Sequence, residues 1–213
     1  MNKPLTIALP KGRLGESAIK ILNQIGLAKN ISPKSRKLVF IDDENIRYLM
    51  VKSVDVITYV ENGVADIGII GSDIILEQQS DVYELMDLGF GKCKFSIAGL
   101  KDQDLYKQDE IIKIATKYPN ITKKYFQKKQ QKIEIIKING SVELAPLVGL
   151  SNVIVDIVET GNTLKANGLM VIEDMFDVSA KFIVNRSSYR FKYTKINDLY
   201  RRLEDSLEGS LND

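Results

Sequence analysis

The chain reads as an α/β protein of two lobes, and three observations carry that reading. Short apolar, β-branched runs alternate with amphipathic stretches, the pattern of largely parallel sheets joined through helices. The alternation stops and then restarts near Gly89-Phe90-Gly91. No Pro/Gly/Ser-rich linker marks that reset, so the chain is expected to cross between lobes twice rather than pass once through a tether. With the second crossing near Asp174, the expected lobes are residues 1–90 plus 175–213 and residues 91–174, with a cleft between them. Clefts between domains are preferred ligand sites.

Each element follows from local pattern. Leu5–Leu9 reads as a strand and Leu14–Ile25 as a helix closed by Gly26. Lys37–Ile41 and Tyr48–Val51 read as strands, and Ser53–Asn62 as a helix stopped by Gly63. Ile67–Ile70 is a short buried strand, after which Ser72 or Asp73 is expected to cap a helix through Leu76. In the second half, Phe95–Leu100 and Ile112–Ala115 read as strands and Pro119–Lys129 as a basic amphipathic helix. Ile133–Ile138 follows as a strand, then Ser141–Val148 as a short helix capped by Ser141. Val153–Val158 is a buried strand and Thr163–Ala166 a helix start. Met170–Val184 is one long strand-forming run, expected to break near Asp174–Asp177. The final helix, Ile196–Leu207, aligns Leu199, Leu203 and Leu207 on one face.

Composition narrows the function classes. Of 213 residues, 44% are hydrophobic and 27% charged, ordinary values for a globular protein. Thirty basic against 28 acidic residues leave a net charge of +2, too balanced for nucleic acid as the main partner. Affinity for phosphates must then come from a local site. A single cysteine, Cys93, excludes an intramolecular disulfide and a multi-cysteine metal cage, and suits a reducing, cytoplasmic setting. Pro10, Lys11 and Arg13 interrupt the N-terminal apolar stretch, so neither a signal peptide nor a membrane span is expected. There is no histidine, which removes the commonest general base and all imidazole metal ligands. An enzyme built this way should need little proton transfer. The absence fits compositional drift in a Lys-, Ile- and Asn-rich chain.

Three segments carry candidate chemistry. In Val153-Ile154-Val155-Asp156-Ile157-Val158-Glu159-Thr160-Gly161-Asn162-Thr163-Leu164, a buried strand delivers Asp156 near its end and a Thr-Gly-x-Thr turn opens a helix. Backbone N–H groups at such a helix start lack intrahelical acceptors and suit a phosphate. Thr160 and Thr163 add hydroxyls, and Gly161 permits close approach. Asp156 is spaced to accept from ribose hydroxyls. As a loop alone, Thr-Gly-x-Thr is equally a capped turn. Ala8-Leu9-Pro10-Lys11-Gly12-Arg13-Leu14 places two cations at a strand-to-helix turn, where Lys11 and Arg13 suit polyphosphate, although such a pair taken alone reads as solvated. Val64-Ala65-Asp66-Ile67-Gly68-Ile69-Ile70-Gly71-Ser72-Asp73 puts glycines beside a helix start, with Asp73 a cap or a nucleotide contact.

Together these segments resemble the ATP phosphoribosyltransferase family, in its short form. Glu143, Gly149, Ser151, Ile154, Asp156, Thr160, Gly161, Thr163 and Leu164 match that family's signature, and Gly140–Pro146 matches its usual approach. Pro10-Lys11-Gly12-Arg13-Leu14 matches the usual opening. Lys52-Ser53 stands where the family has an Arg-Pro pair, so Lys52 keeps the charge but loses the guanidinium fork. Leu88–Phe95 and Ile114–Pro119 are also similar; there Tyr118 is expected to stack on adenine, while Lys92 and Lys94 read as solvated.

The resemblance implies a periplasmic-binding-protein-like (type II) architecture with the ligand cleft between lobes. It also implies attack by N1 of ATP on C1 of phosphoribosyl pyrophosphate, with inversion and loss of pyrophosphate. The donor falls to Asp156, Glu159, Thr160, Gly161, Asn162 and Thr163. ATP falls to Lys11, Arg13, Lys52, Asp73 and Tyr118. Lys11, Arg13 and Glu143 are the expected catalytic residues. Mg²⁺ is expected as a substrate complex, without an all-protein metal site. The implied partners are a second copy of the chain, as a dimer, and a regulatory subunit similar to histidyl-tRNA synthetase. The rival readings are a solute-binding or effector-sensing module and a non-catalytic phosphate-binding subunit.

Overall fold

The computed structural model describes residues 4–33, 35–101 and 110–209; the expected lobes extend beyond these at both chain ends and at residues 102–109. The first half gives β1 (Leu5–Pro10), α1 (Arg13–Gln24), β2 (Val39–Ile41), β3 (Ile46–Val51), α2 (Ser53–Glu61), β4 (Ile67–Gly71), α3 (Ser72–Gln78) and β5 (Val82–Asp87). The second gives β6 (Cys93–Gly99), β7 (Ile112–Thr116), α4 (Pro119–Lys128), β8 (Ile133–Lys137), α5 (Leu144–Leu147), β9 (Val153–Val158), α6 (Asn162–Ala166) and β10 (Met170–Val178). Then come β11 (Ala180–Asn185), α7 (Arg186–Phe191) and α8 (Tyr193–Gly209).

The chain divides into two compact units. One comprises Met1–Ile75, Gln79–Gly91 and Ser179–Asp213, the other Leu76–Gln78 and Lys92–Val178. The first unit holds a six-stranded sheet in the order β2-β3-β1-β4-β11-β5, and the second a five-stranded sheet, β10-β6-β9-β7-β8. Neither is largely parallel, contrary to expectation. β3-β1-β4 run parallel while β2, β11 and β5 join antiparallel. In the second sheet β9-β7-β8 are parallel and β6 and β10 antiparallel. The long run after Met170 breaks at Ser179, not at Asp174–Asp177. The expected break is instead a pair of irregularities within β10, at Val171/Glu173 and Asp174/Phe176.

In the first unit, β1 is buried along its whole length, and α1 and α8 lay Leu22, Ile196, Leu199 and Leu203 into the same core. Gly68 lets α2 lie close on β4: a Cβ there would stand 2.8 Å from Val60 and 2.9 Å from Val56. At the amino end of the parallel strands, buried Asp66 ties three segments together. Its Oδ2 accepts from the Thr6 backbone N–H (2.8 Å) and from Lys192 Nζ (2.7 Å), and its Oδ1 from the Ser188 hydroxyl (2.6 Å).

Ser72 and Ser141 do not cap the helices that follow them. Gly71, in extended conformation, is the residue before α3, and the Ser72 hydroxyl accepts the Ser179 N–H instead of capping. Ser141 takes a left-handed φ of 47°, so α5 shrinks to Leu144–Leu147 with Glu143 at its cap position.

Candidate functional site

In the second unit the candidate residues gather at the carboxyl ends of parallel strands, the edge at which open α/β sheets bind ligands. β9 is fully buried through Val155. Asp156 then emerges half-buried, and Glu159 and Thr160 are exposed. Gly161 turns the chain with φ 70°, in the left-handed region that favours glycine, and accepts the Lys165 N–H at 3.0 Å. Asn162, Thr163 and Leu164 open α6, so their N–H groups have no intrahelical acceptor. At five residues α6 adds little dipole; the N–H groups and the Thr160 and Thr163 hydroxyls are the donors this turn carries, with the Asn162 N–H making a long bond to Thr160 Oγ1 (3.5 Å).

β7 ends beside β9, and a buried hydroxyl sets how. Thr116 Oγ1 donates to the Val155 carbonyl (2.7 Å) and accepts the Tyr118 N–H (2.9 Å). These two hydrogen bonds lock the turn between β7 and α4 and direct Lys117 toward Asp156, with Nζ 3.7 Å from Oδ2. Glu143 lies near enough to act on the same carboxyl. Burial pushes the Asp156 carboxyl up; Lys117 and the Ile157 N–H oppose this, and Glu143 adds to it, leaving a net rise. Neither Thr116 nor Lys117 was singled out from sequence. A threonine ending a buried strand and a lysine directly after it, ahead of Tyr118-Pro119, were the signal available.

Tyr118 does not stand ready to stack on a base. It is buried, and its ring meets Phe95 edge-on at 4.8 Å. Pro119 starts α4 right after it, and the Tyr118 carbonyl accepts from the Thr122 backbone and hydroxyl. The aromatic serves the core.

Beyond the loop, a concavity of about 530 Å³ is lined by Lys92, Lys94, Ser96, Glu159–Gly161, Lys165 and Asp174, among others. Lys94 and Ser96 both donate to Asp174 (2.7 and 2.8 Å). Those bonds hold the Asp174 carboxyl below its usual range and raise Lys94. Lys92 and Lys94 thus line a wall of the concavity.

The first unit presents its own set at its own carboxyl edge. Lys11 follows β1, Lys52 follows β3 and Ser72-Asp73 follow β4, all three strands being parallel neighbours. The Lys11 N–H donates to the Val51 carbonyl (2.8 Å), so the turns after β1 and β3 are bonded to each other. Gly12 opens α1 with φ 87° and Lys11 and Arg13 project outward, exposed. Gly15 is what allows this turn: a Cβ there would stand 1.7 Å from the Pro10 carbonyl oxygen. Asp73 folds back over the start of α3, its Oδ1 2.1 Å from where a Cβ on Gly71 would sit.

These features describe a two-unit α/β protein with exposed turns carrying cations, hydroxyls and helix-start N–H groups at the carboxyl ends of parallel strands. A family model described as ATP phosphoribosyltransferase matches residues 52–205. The ATP phosphoribosyltransferase of Clostridioides difficile is 62% identical over 202 residues, covering 94% of this chain and 97% of the relative. That of Clostridium kluyveri is 50% identical over 205 residues, covering 95% and 94%. Among solved structures, the ATP phosphoribosyl transferase (HisG:HisZ) complex from Thermotoga maritima superposes with TM-score 0.83 at 36% identity, covering 96% of this chain and 99% of that one. The periplasmic aliphatic sulphonate binding protein SsuA of Escherichia coli, at 12% identity, TM-score 0.62 and coverage of 97% and 69%, shares the fold alone. The chain belongs to the ATP phosphoribosyltransferase family.

Proposed function

We propose that the chain transfers the phosphoribosyl group of phosphoribosyl pyrophosphate to N1 of ATP. The products are phosphoribosyl-ATP and diphosphate, in the first step of L-histidine synthesis. Family membership carries the reaction, and the strand–turn–helix at Val153–Ala166 carries the assignment of the donor site.

The 5-phosphate is assigned to the turn Glu159–Thr163, through the N–H groups of Gly161, Asn162 and Thr163 and the hydroxyls of Thr160 and Thr163. Asp156 accepts from the ribose hydroxyls. Lys11 and Arg13, exposed at the carboxyl end of β1, hold polyphosphate or the departing pyrophosphate; Lys52 adds a point charge and Asp73 contacts the ATP sugar. Glu143, half-buried beside Asp156, orients substrate or a hydrated cation. N1 already carries a lone pair, so attack on C1 needs no protein base, in keeping with a chain without histidine. Catalysis then consists of holding two polyanions in line and stabilising leaving-group charge. Mg²⁺ is assigned to the donor substrate as its pyrophosphate complex, and when bound it would supply charge neutralisation for the leaving group. Among the described residues, no three His, Cys, Asp or Glu side chains are grouped to hold a metal ion.

The chain is further proposed to act as a dimer and with a histidyl-tRNA-synthetase-like regulatory subunit; the likeness to the Thermotoga maritima complex supports the second. A cytoplasmic setting belongs to the same reading. Among the described residues no helix is long and apolar enough to cross a membrane.

The test is pyrophosphate release by the purified chain with ATP, phosphoribosyl pyrophosphate and Mg²⁺, alone and with the regulatory subunit. Release that requires ATP and is lost in Thr160→Ala supports the transferase and its phosphate turn. No release even with the partner would leave a ligand-binding module on the shared fold.

A further inference from the structure

Asp156 meets an unusual demand for a surface carboxylate. Its side chain is 15% exposed, yet the donor role requires it ionised and able to accept hydroxyl hydrogen bonds. Burial favours the neutral acid, and so does Glu143. The groups facing it are few. From its own strand comes the Ile157 N–H, at 2.9 Å from Oδ1. From the end of β7 comes Lys117, from the turn before α5 Glu143, and across β6 its register partner Ser96. Ser96 is committed elsewhere, since its hydroxyl donates to Asp174. Lys117 is the cation that opposes both unfavourable effects.

We propose that Lys117 is a positioning residue for the donor site: with its backbone fixed by the two Thr116 hydrogen bonds, its ammonium sits beside the Asp156 carboxylate and keeps it aimed at the ribose diol. The proposal rests on the donor reading of Asp156. At 3.7 Å the pair is longer than a hydrogen bond, so the attraction is Coulombic and leaves the lone pairs of Oδ2 for a ligand. A closer cation would compete with the ribose hydroxyls. A more distant one would leave the carboxyl to be neutralised by its surroundings. The backbone at Lys117 is held on both sides, by Thr116 and by Pro119, so the spacing is set by the fold. The lysine side chain itself remains 40% exposed, and its removal should not unfold the protein.

Ionised Asp156 is required for activity, so activity is present above its pKa and falls as pH drops through it. Removing the cation raises that pKa, so the acid limb must move to higher pH. The experiment is the pH profile of kcat/KM for phosphoribosyl pyrophosphate at saturating ATP, for wild type, Lys117→Met, Lys117→Arg and the control Lys113→Met, whose lysine pairs with Glu134 away from the site. The expected result is an acid limb displaced upward by about one pH unit in Lys117→Met, with activity returning toward wild type at high pH. Lys117→Arg should restore the limb and Lys113→Met leave it unmoved. The carboxyl titration of Asp156, followed by ¹³C NMR in wild type and Lys117→Met, should move in the same direction without reference to activity. An unshifted titration overturns the proposal, and so does a loss of kcat/KM equal at every pH, which would make Lys117 a direct phosphate ligand. Absence of activity in wild type would instead fail the transferase reading, and the NMR titration would still decide for Lys117.

Discussion

Asp66→Ala is expected to cost about 3 kcal/mol of stability while sparing the chemistry. The carboxylate accepts from the Thr6 N–H, the Ser188 hydroxyl and Lys192 Nζ, all within 2.8 Å, and is 4% exposed. Removing one partner of a buried, hydrogen-bonded ion pair costs about 3–5 kcal/mol. The lower end applies because the Lys192 side chain is 27% exposed and also donates to the Pro4 carbonyl. The Thr6 N–H has no such relief: Thr6 is 2% exposed, and a buried unsatisfied donor alone costs about 1–3 kcal/mol. For a chain of this size 1 kcal/mol moves the midpoint by about 2–4 °C, so a fall of about 10 °C should appear by circular dichroism. Hydrogen exchange at the Thr6 amide should accelerate, and the Asp66→Ala/Lys192→Met cycle should give a coupling of about 1 kcal/mol or more. Because Asp66 lies at the amino end of the parallel strands and the candidate residues at their carboxyl end, kcat/KM measured well below the midpoint should stay near wild type. A midpoint change under about 3 °C would refute the assignment of Asp66 as a structural tie.

Two further predictions concern the first unit. Burial pushes the Asp87 carboxyl up, but the Lys181, Gly89 and Ser179 hydrogen bonds outweigh it and hold it at about 2. Such a group stabilises the fold above its unfolded pKa and loses that contribution as pH falls toward 2. Asp87→Asn should therefore lower stability at neutral pH by less than about 1 kcal/mol, since the side chain is half exposed, and the difference in urea midpoint should vanish in acid. Gly15→Ala drives a Cβ against the Pro10 carbonyl and must displace the Lys11–Arg13 turn; kcat/KM is expected to fall by about 100-fold, read by pyrophosphate release. A folded Gly15→Ala enzyme of wild-type activity would remove Lys11 and Arg13 from the site.

The strand–turn–helix at Val153–Ala166 was legible because its parts are contiguous and each has local chemistry: β-branched burial, a left-handed glycine, hydroxyls beside it. Strand direction was not legible. The antiparallel entry of β6, β10 and β11 depends on partners far away in sequence, and local periodicity is the same for either direction. β5 was missed because Val82–Asp87 lies at the sheet edge and does not alternate in burial. Ser141 was read as a cap from its residue type, whereas its left-handed φ turns the chain before the helix can begin. Tyr118 and Lys117 exchange significance for one reason. Thr116, whose hydroxyl holds both β9 and the next turn, sends the aromatic inward against Phe95 and the cation toward Asp156, and only three-dimensional pairing discloses which of two adjacent residues faces the edge.

The insertion of β11 between β4 and β5 has a consequence for synthesis. Nearly all of the second unit is one continuous stretch, Lys92–Val178, whose pairings close as soon as it leaves the ribosome. The first sheet stays open meanwhile: β4 and β5 have emerged, but the strand between them comes only with residues 180–185, and the α8 residues that cover the core come last. Until then the apolar edge at Ile67–Ile70 lies unpaired and exposed to other chains. The nascent protein is therefore most vulnerable to misassembly in its final stretch, and truncation before Ala180 should yield a soluble second unit attached to an aggregating first one.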